Sequence, residues 1–213
     1  MPLYTTDALI LRTYKLGESD RLVVFLTRDR GKKRGVAKNA RQSRRRFGGA
    51  LEPMTCGRVA YLERERRELV ALHYVEVSRS PLSARDGEAL GYTGYFAELI
   101  DEWAQEADPN ETLYRLGASM VDAMAKGVPI EPLARYFEYW LLRLQGVYEP
   151  APGLSAGARA FLAAARASSP FGLGTVSVAP GTLRELEAAH RSLIALHLEK
   201  DLKSVRVLRE MHR

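Results

Sequence analysis

The sequence predicts an α+β fold, a five-stranded β-barrel followed by an all-helical part, and three observations lead there. Over the first 80 residues, short apolar runs alternate with charged or glycine-containing turns. From residue 83 the apolar spacing changes to the threes and fours of helices. The charge changes at the same place. Residues 1–80 carry 18 Lys/Arg against 9 Asp/Glu, a net of +9, while residues 81–213 carry 14 against 17, a net of −3. The chain is therefore divided into a domain 1–80 and a helical domain 81–213.

Leu9-Ile10-Leu11 with Tyr14 makes the first expected strand and Leu22 to Leu26 the second. Gly35-Val36-Ala37 is a short third. Cys56 to Leu62 and Leu69 to Val77 form the last two, joined by the charged turn Glu63 to Glu68. In the final strand, alternation places Leu69, Ala71, His73, Val75 and Val77 on one face. Five short strands suit a Greek-key barrel of the OB type, which binds nucleic acid across an open face flanked by loops. An SH3-like barrel gives the same periodicity, so the pattern alone leaves both open.

Ser83-Ala84-Arg85-Asp86 offers a cap for a helix running to about Glu106. Asp108-Pro109-Asn110-Glu111 reads as an acidic cap with proline at the first helical position, opening a helix that ends near Lys126-Gly127. Glu131 opens a third helix, with Leu133, Phe137, Trp140, Leu141 and Leu144 on one stripe and Gly146 as its stop. An alanine-rich helix spans about Ser155 to Ala167, and Ser168 to Gly181 is irregular. A last helix runs from Thr182 to the end, bending near Lys200-Asp201.

Between Arg28 and Arg46, ten of nineteen residues are basic and only Asp29 is acidic. Solvated surfaces intersperse both signs, so this run needs a polyanion to neutralise it. A phosphate backbone suits it, because each Lys or Arg contact releases condensed counterions. The candidate DNA contacts are Lys32, Lys33, Arg34, Lys38, Arg41, Arg44, Arg45 and Arg46. They supply charge without a base-reading helix, so contact is expected to be backbone-dominated. Interleaved aromatics (Tyr4, Tyr14, Phe25, Phe47, Tyr61) divide between burial and base stacking. The stripes Tyr92, Tyr95, Phe96, Trp103 and Tyr136, Phe137, Tyr139, Trp140 read as helix-packing core.

No catalytic arrangement emerges. The lone Cys56 lies in an apolar strand and reads as a buried thiol, which excludes an internal disulfide and a multi-cysteine zinc site. His190 and His197 stand seven apart, about 10 Å along a helix, too far to share a metal. His73 and His212 are isolated. No glycine cluster has the P-loop spacing, and the G-x-S-x-G elbow is missing. No window approaches the roughly 20 apolar residues of a membrane span, and the start lacks a signal-peptide pattern. A non-enzymatic, cytoplasmic protein without metal or cofactor is expected.

Asp7-Ala8-Leu9-Ile10-Leu11-Arg12 and Tyr14-Lys15-Leu16-Gly17-Glu18-Ser19-Asp20 resemble the start of the RecO family of recombination mediators. Gly35 to Arg41, Leu51-Glu52-Pro53, Arg135-Tyr136-Phe137-Glu138, Leu144 to Tyr148, Pro180 to Leu183 and Leu202 to Leu208 continue that resemblance in order along nearly the whole chain. It implies an OB-fold first domain and a helical second one. It also implies a protein that binds single- and double-stranded DNA, anneals complementary strands, and acts with RecR to load recombinase onto strands coated by single-stranded DNA-binding protein. By the same resemblance, the helix around Pro132 to Arg143 receives the acidic tail of that protein, with Arg135 as the candidate cation. Many relatives carry a four-cysteine zinc module after the segment matching Gly146-Val147-Tyr148. Here Glu149 to Gly174 holds neither cysteine nor histidine, so zinc is not expected, and the irregular segment 149–181 takes its place.

Two rivals carry the same charge signature: an RNA-binding OB module, and an enzyme using the basic loop to hold a phosphorylated substrate. The second lacks any visible general base.

Overall fold

At the centre of the first strand, β1 (Leu3–Leu16), four consecutive residues from Ala8 to Leu11 are each at most 1% exposed. Burial on both faces of one strand means that something covers the outside of the sheet. The computed structural model, which describes residues 2–63, 67–84, 87–200 and 202–211, provides that cover. Strands β1, β2 (Asp20–Thr27), β3 (Gly31–Ala37), β4 (Cys56–Leu62) and β5 (Val70–Arg79) close into a barrel in the order β1-β2-β3-β5-β4. Neighbours are antiparallel except β3 and β5, which pair in parallel from Gly35–Val70 to Ala37–Leu72. This is the OB-type arrangement, and it removes the open edges of a flat sheet.

Alternation along β1 and β2 separates two cores. Ala8, Ile10, Val23 and Phe25 point into the barrel with Val59, Tyr61 and Leu72. A short helix, α1 (Arg44–Phe47), adds Phe47, 2% exposed, to that cluster. Leu9, Leu11, Val24 and Leu26 point outward and merge with Met54, Cys56 and the helices in a second, larger cluster.

The helices are α2 (Gly87–Trp103), α3 (Glu111–Ala125), α4 (Ile130–Leu144), α5 (Ala156–Ala167), α6 (Pro180–Leu198) and α7 (Lys203–Met211). Helix α4 sits among α2, α3, α5 and α6. It is buried well beyond the expected stripe, taking in Ala134, Tyr136 and Tyr139, while Trp140 is only partly covered. Gly127 and Gly146 follow α3 and α4 with φ of +75° and +72°, a conformation that glycine adopts without a Cβ penalty.

Several expectations need correction. The strands β1 and β3 extend well past their apolar centres, since backbone pairing continues where side chains turn polar. In β5 the expected face is wrong: Val70, Leu72 and Val75 are buried, whereas His73 and Val77 are exposed. Ala60 pairs with Tyr74 but Tyr61 with Leu72, so an extra residue at His73 flips the alternation. The cap of α3 is Asn110, whose side chain accepts from the Leu113 N–H at 2.9 Å, and not Asp108. Helix α2 ends at Trp103, three residues short of the expected Glu106. Ser83 closes a 3-10 turn (Pro81–Ser83) and is no helix cap, while the expected partners Arg85 and Asp86 lie outside the described residues. Within the segment expected to be irregular, Pro170–Thr175 forms a 3-10 turn pinned by the buried Leu173, and α6 begins at Pro180. Helix α6 stops at Leu198 with Glu199 left-handed (φ 53°); Asp201, part of the expected bend, is outside the described residues.

Candidate nucleic-acid interface

The basic run divides into two halves with different surroundings. The first half lies on β3 and faces acids. Lys32 reaches the backbone carbonyl and carboxylate of Asp101 at 2.6 and 3.1 Å. Its backbone accepts from Ala107 N–H and donates to Gln105, both at 3.1 Å, so the segment after α2 docks alongside β3. Lys33 pairs with Glu63 at 2.6 Å, and Arg34 approaches Glu106 at 3.8 Å. Lys32 and Arg34 thus join the barrel to α2 and the segment after it, while Lys33 pairs within the barrel, beside the end of β4. Arg12 extends the same seam, meeting Asp101 at 2.6 Å and Glu102 at 3.0 Å. Gly31 is required here: its φ is +69°, and a Cβ would lie 2.3 Å from the Asp108 backbone.

The second half leaves β3 and forms the loop into α1. Arg41 N–H donates to Ser19 and its guanidinium to the Glu18 carbonyl at 2.9 Å. Asn39 N–H donates to the Asp20 carboxylate at 2.8 Å. Arg46 donates to Ser43 Oγ at 2.9 Å and to the Lys38 carbonyl at 2.8 Å. The loop is thus tied to the β1–β2 turn, and Phe47 anchors its far end in the barrel. Lys38, Arg41 and Arg45 are exposed and Arg46 half-buried. Among the described residues, none of the four forms an ion pair with a carboxylate. The side chain of Arg44 lies outside what the structure describes.

Beside Lys38 a trough of about 520 Å³ runs between β3 and β5, walled by Val36, Leu69 and Ala71 with Arg67 and the carboxylate of Glu68. Of the aromatic candidates, Phe25, Phe47 and Tyr61 are buried. Tyr14 is exposed, and Tyr4 is half-buried with the Arg30 guanidinium 3.9 Å from its ring centroid. Tyr74 was not legible as a surface aromatic; the irregularity at His73 turns it outward.

In the helical part, Arg135 is 4% exposed, neither a solvated residue nor a freely presented cation. Its Nη2 meets Glu138 at 3.0 Å, while Nη1 makes no hydrogen bond and has Glu187 at 3.7 Å. Glu138 also accepts from the Tyr95 hydroxyl at 2.7 Å and contacts His190 Nδ1 at 3.0 Å. Burial pushes the Glu138 carboxyl up, but Arg135, His190 and Tyr95 outweigh it and hold it below the ordinary value. A groove of about 630 Å³ lies over this network, lined by Arg135, Arg184, Arg191 and Arg209 together with Glu131, Glu138 and Glu187. His190 is a buried member of this network, 1% exposed. Among the described residues, no three His, Cys, Asp or Glu side chains gather where a metal ion could sit. The residues in place of the zinc module offer no thiolate or imidazole, and zinc does not fit there.

Family models for the recombination protein O N terminal and C terminal match residues 1–81 and 84–150. The DNA repair protein RecO of Geobacter metallireducens is 32% identical over 238 residues, covering 97% of each chain. This chain belongs to the RecO family. The RecO protein of Anaeromyxobacter sp. (strain K) is 37% identical over 88% of this chain and 75% of its own length. That of Koribacter versatilis is 44% identical over 68% of this chain, a match that spans 59% of the relative. The family's two models meet where the barrel gives way to helices. Among the described residues, no helix is long and apolar enough to cross a membrane.

Proposed function

We propose that this protein is a DNA-binding recombination mediator of DNA repair. It binds single- and double-stranded DNA, anneals complementary strands, and acts with RecR to help load recombinase onto strands coated by single-stranded DNA-binding protein. The observation that carries this reading is the loop bearing Lys38, Arg41, Arg45 and Arg46, fixed in place yet without carboxylate partners. Cations left uncompensated on a rigid frame gain most from a phosphate backbone. The trough beside Lys38 gives a strand somewhere to lie, and the relatives' name, DNA repair protein, points the same way. Annealing follows without nucleotide hydrolysis, since neutralised strands repel each other less and base pairing supplies the specificity. Residues 1–80 act as the DNA-binding domain and 81–213 as the domain for protein partners. The groove over Arg135 receives the acidic tail of single-stranded DNA-binding protein, and the exposed Arg184 and Arg209 at its rim, rather than the buried Arg135, support that reading.

The test is an annealing assay with complementary oligonucleotides, with and without single-stranded DNA-binding protein. Acceleration over the spontaneous rate is expected. No acceleration, or tighter binding to matched RNA than to single-stranded DNA at the same salt, overturns the reading.

A further inference from the structure

The helical part carries a net charge of −3, yet in one hollow on it every charged side chain is an arginine. It measures about 390 Å³ and lies between the last turn of α4, the loop after it and the outer face of α5. Arg143, Arg159 and Arg166 line it, and no carboxylate does. All three arginines are exposed and none forms an ion pair among the described residues. Arg159 and Arg166 stand two turns apart on one face of α5, about 10 Å along its axis. Arg143 donates to the Tyr139 hydroxyl at 3.1 Å, with its guanidinium 5.7 Å from that ring's centroid. Arg159 donates to the Leu154 carbonyl. Glu185, which feels the charge of Arg159, is already satisfied by the Ser155 N–H and hydroxyl at 2.7 and 2.5 Å. The remaining wall is apolar: the half-buried Tyr148 ring, which meets Tyr139 edge-on at 4.9 Å, with Pro150, Leu154 and Leu162.

Much of this hollow comes from residues after 150, where the family-model match ends. It is built from the segment that stands in place of the zinc module.

We propose that this hollow is a second binding site for single-stranded DNA. Guanidinium forks fit phosphate oxygens, and a tyrosine ring with aliphatic neighbours gives a base a surface to lie on. The volume suits about one nucleotide unit, at the small end of ligand sites. An acidic peptide would use the arginines but has less need of the ring. The assignment rests on the annealing function proposed above, which requires two strands held at once. The barrel loop holds one, and the α4–α5 hollow the other.

The experiment loads the full chain with fluorescein-labelled oligothymidylate and then titrates rhodamine-labelled oligothymidylate, which cannot pair with the first strand. Energy transfer reports two strands on one particle. Replacing Arg159→Gln together with Arg166→Gln leaves the buried face of α5 (Ala158, Phe161, Ala165) untouched. That variant is expected to bind the first strand within about twofold of the parent and the second at least about tenfold more weakly. Equal energy transfer in variant and parent overturns the proposal. So does a parent that holds no second strand but binds a polyglutamate peptide that the variant releases. A parent that binds no first strand overturns the annealing reading as well, a distinct result.

Discussion

The carboxylate of Glu98, within α2, accepts hydrogen bonds from the N–H and hydroxyl of Ser204 at 2.7 and 2.5 Å and so caps the first turn of α7. Lys203 N–H adds a bond at 3.2 Å, and Arg12 of β1 stands 3.6 Å away. One side chain thereby ties the barrel, α2 and the last described helix together.

Glu98→Ala should cost about 1–2 kcal/mol, the range for loss of a helix cap, and should loosen α7 first. Burial pushes the Glu98 carboxyl up, but the bonds from Ser204 and Lys203 and the charge of Arg12 hold it below its ordinary value. Its stabilisation is therefore present above the unfolded value, near 4.3, and is lost as pH falls through the lower folded value. Melting temperatures of parent and Glu98→Ala should differ at neutral pH and converge in acid. A constant gap across that range contradicts the assignment.

Arg135→Ala should cost stability before it costs any interaction. Removing it leaves Glu138, 1% exposed, without its cation, and breaking a buried pair typically costs about 3–5 kcal/mol. Urea unfolding followed by tryptophan fluorescence measures this. A midpoint unchanged from the parent would show that Arg135 is not a structural centre. Peptide binding to the groove is better probed with Arg184→Gln, an exposed groove residue.

Replacing Lys38, Arg41 and Arg45 together by glutamine should flatten the salt dependence of duplex binding by about 2–3 in the slope of log affinity against log salt. Lys32→Ala should leave that slope unaltered and lower the melting temperature, because Lys32 is bound to Asp101. The reverse pattern would place the DNA on β3.

Cys56 should resist alkylation in the native state. It is fully buried, and burial pushes its thiol up to about 12, so little thiolate forms at neutral pH. Iodoacetamide labelling should be slow without denaturant and fast with it. Fast labelling of the native protein would mean that the seam between β4 and the helices opens readily.

The barrel and helices were legible because apolar periodicity follows from burial, and burial dominates these segments. What stayed hidden depends on partners distant in sequence. Nothing around His73 marks the extra residue that turns Tyr74 outward, since the irregularity exists only against β4. Asp108 is as good a cap by composition as Asn110; the path of the chain past Gly31 decides between them. Lys32 and Lys38 look alike in the basic run. Only the fold reveals that Asp101, 69 residues away, has claimed one of them. Arg143, Arg159 and Arg166 are scattered in an acidic half, and folding alone gathers them.

The outward side chains of β1 and β2 give the molecule a property that a drawing of two modules conceals. Leu9, Leu11, Val24 and Leu26 have no water-compatible alternative to the helices. A fragment cut after residue 80 would display them as a sticky stripe, and a helical fragment alone would be missing one wall. For anyone wishing to transplant the barrel, shuffle it or express it alone, the inseparable unit is larger than the sheet. Any displacement of β1 or β2 is likewise passed to the helices through this shared core.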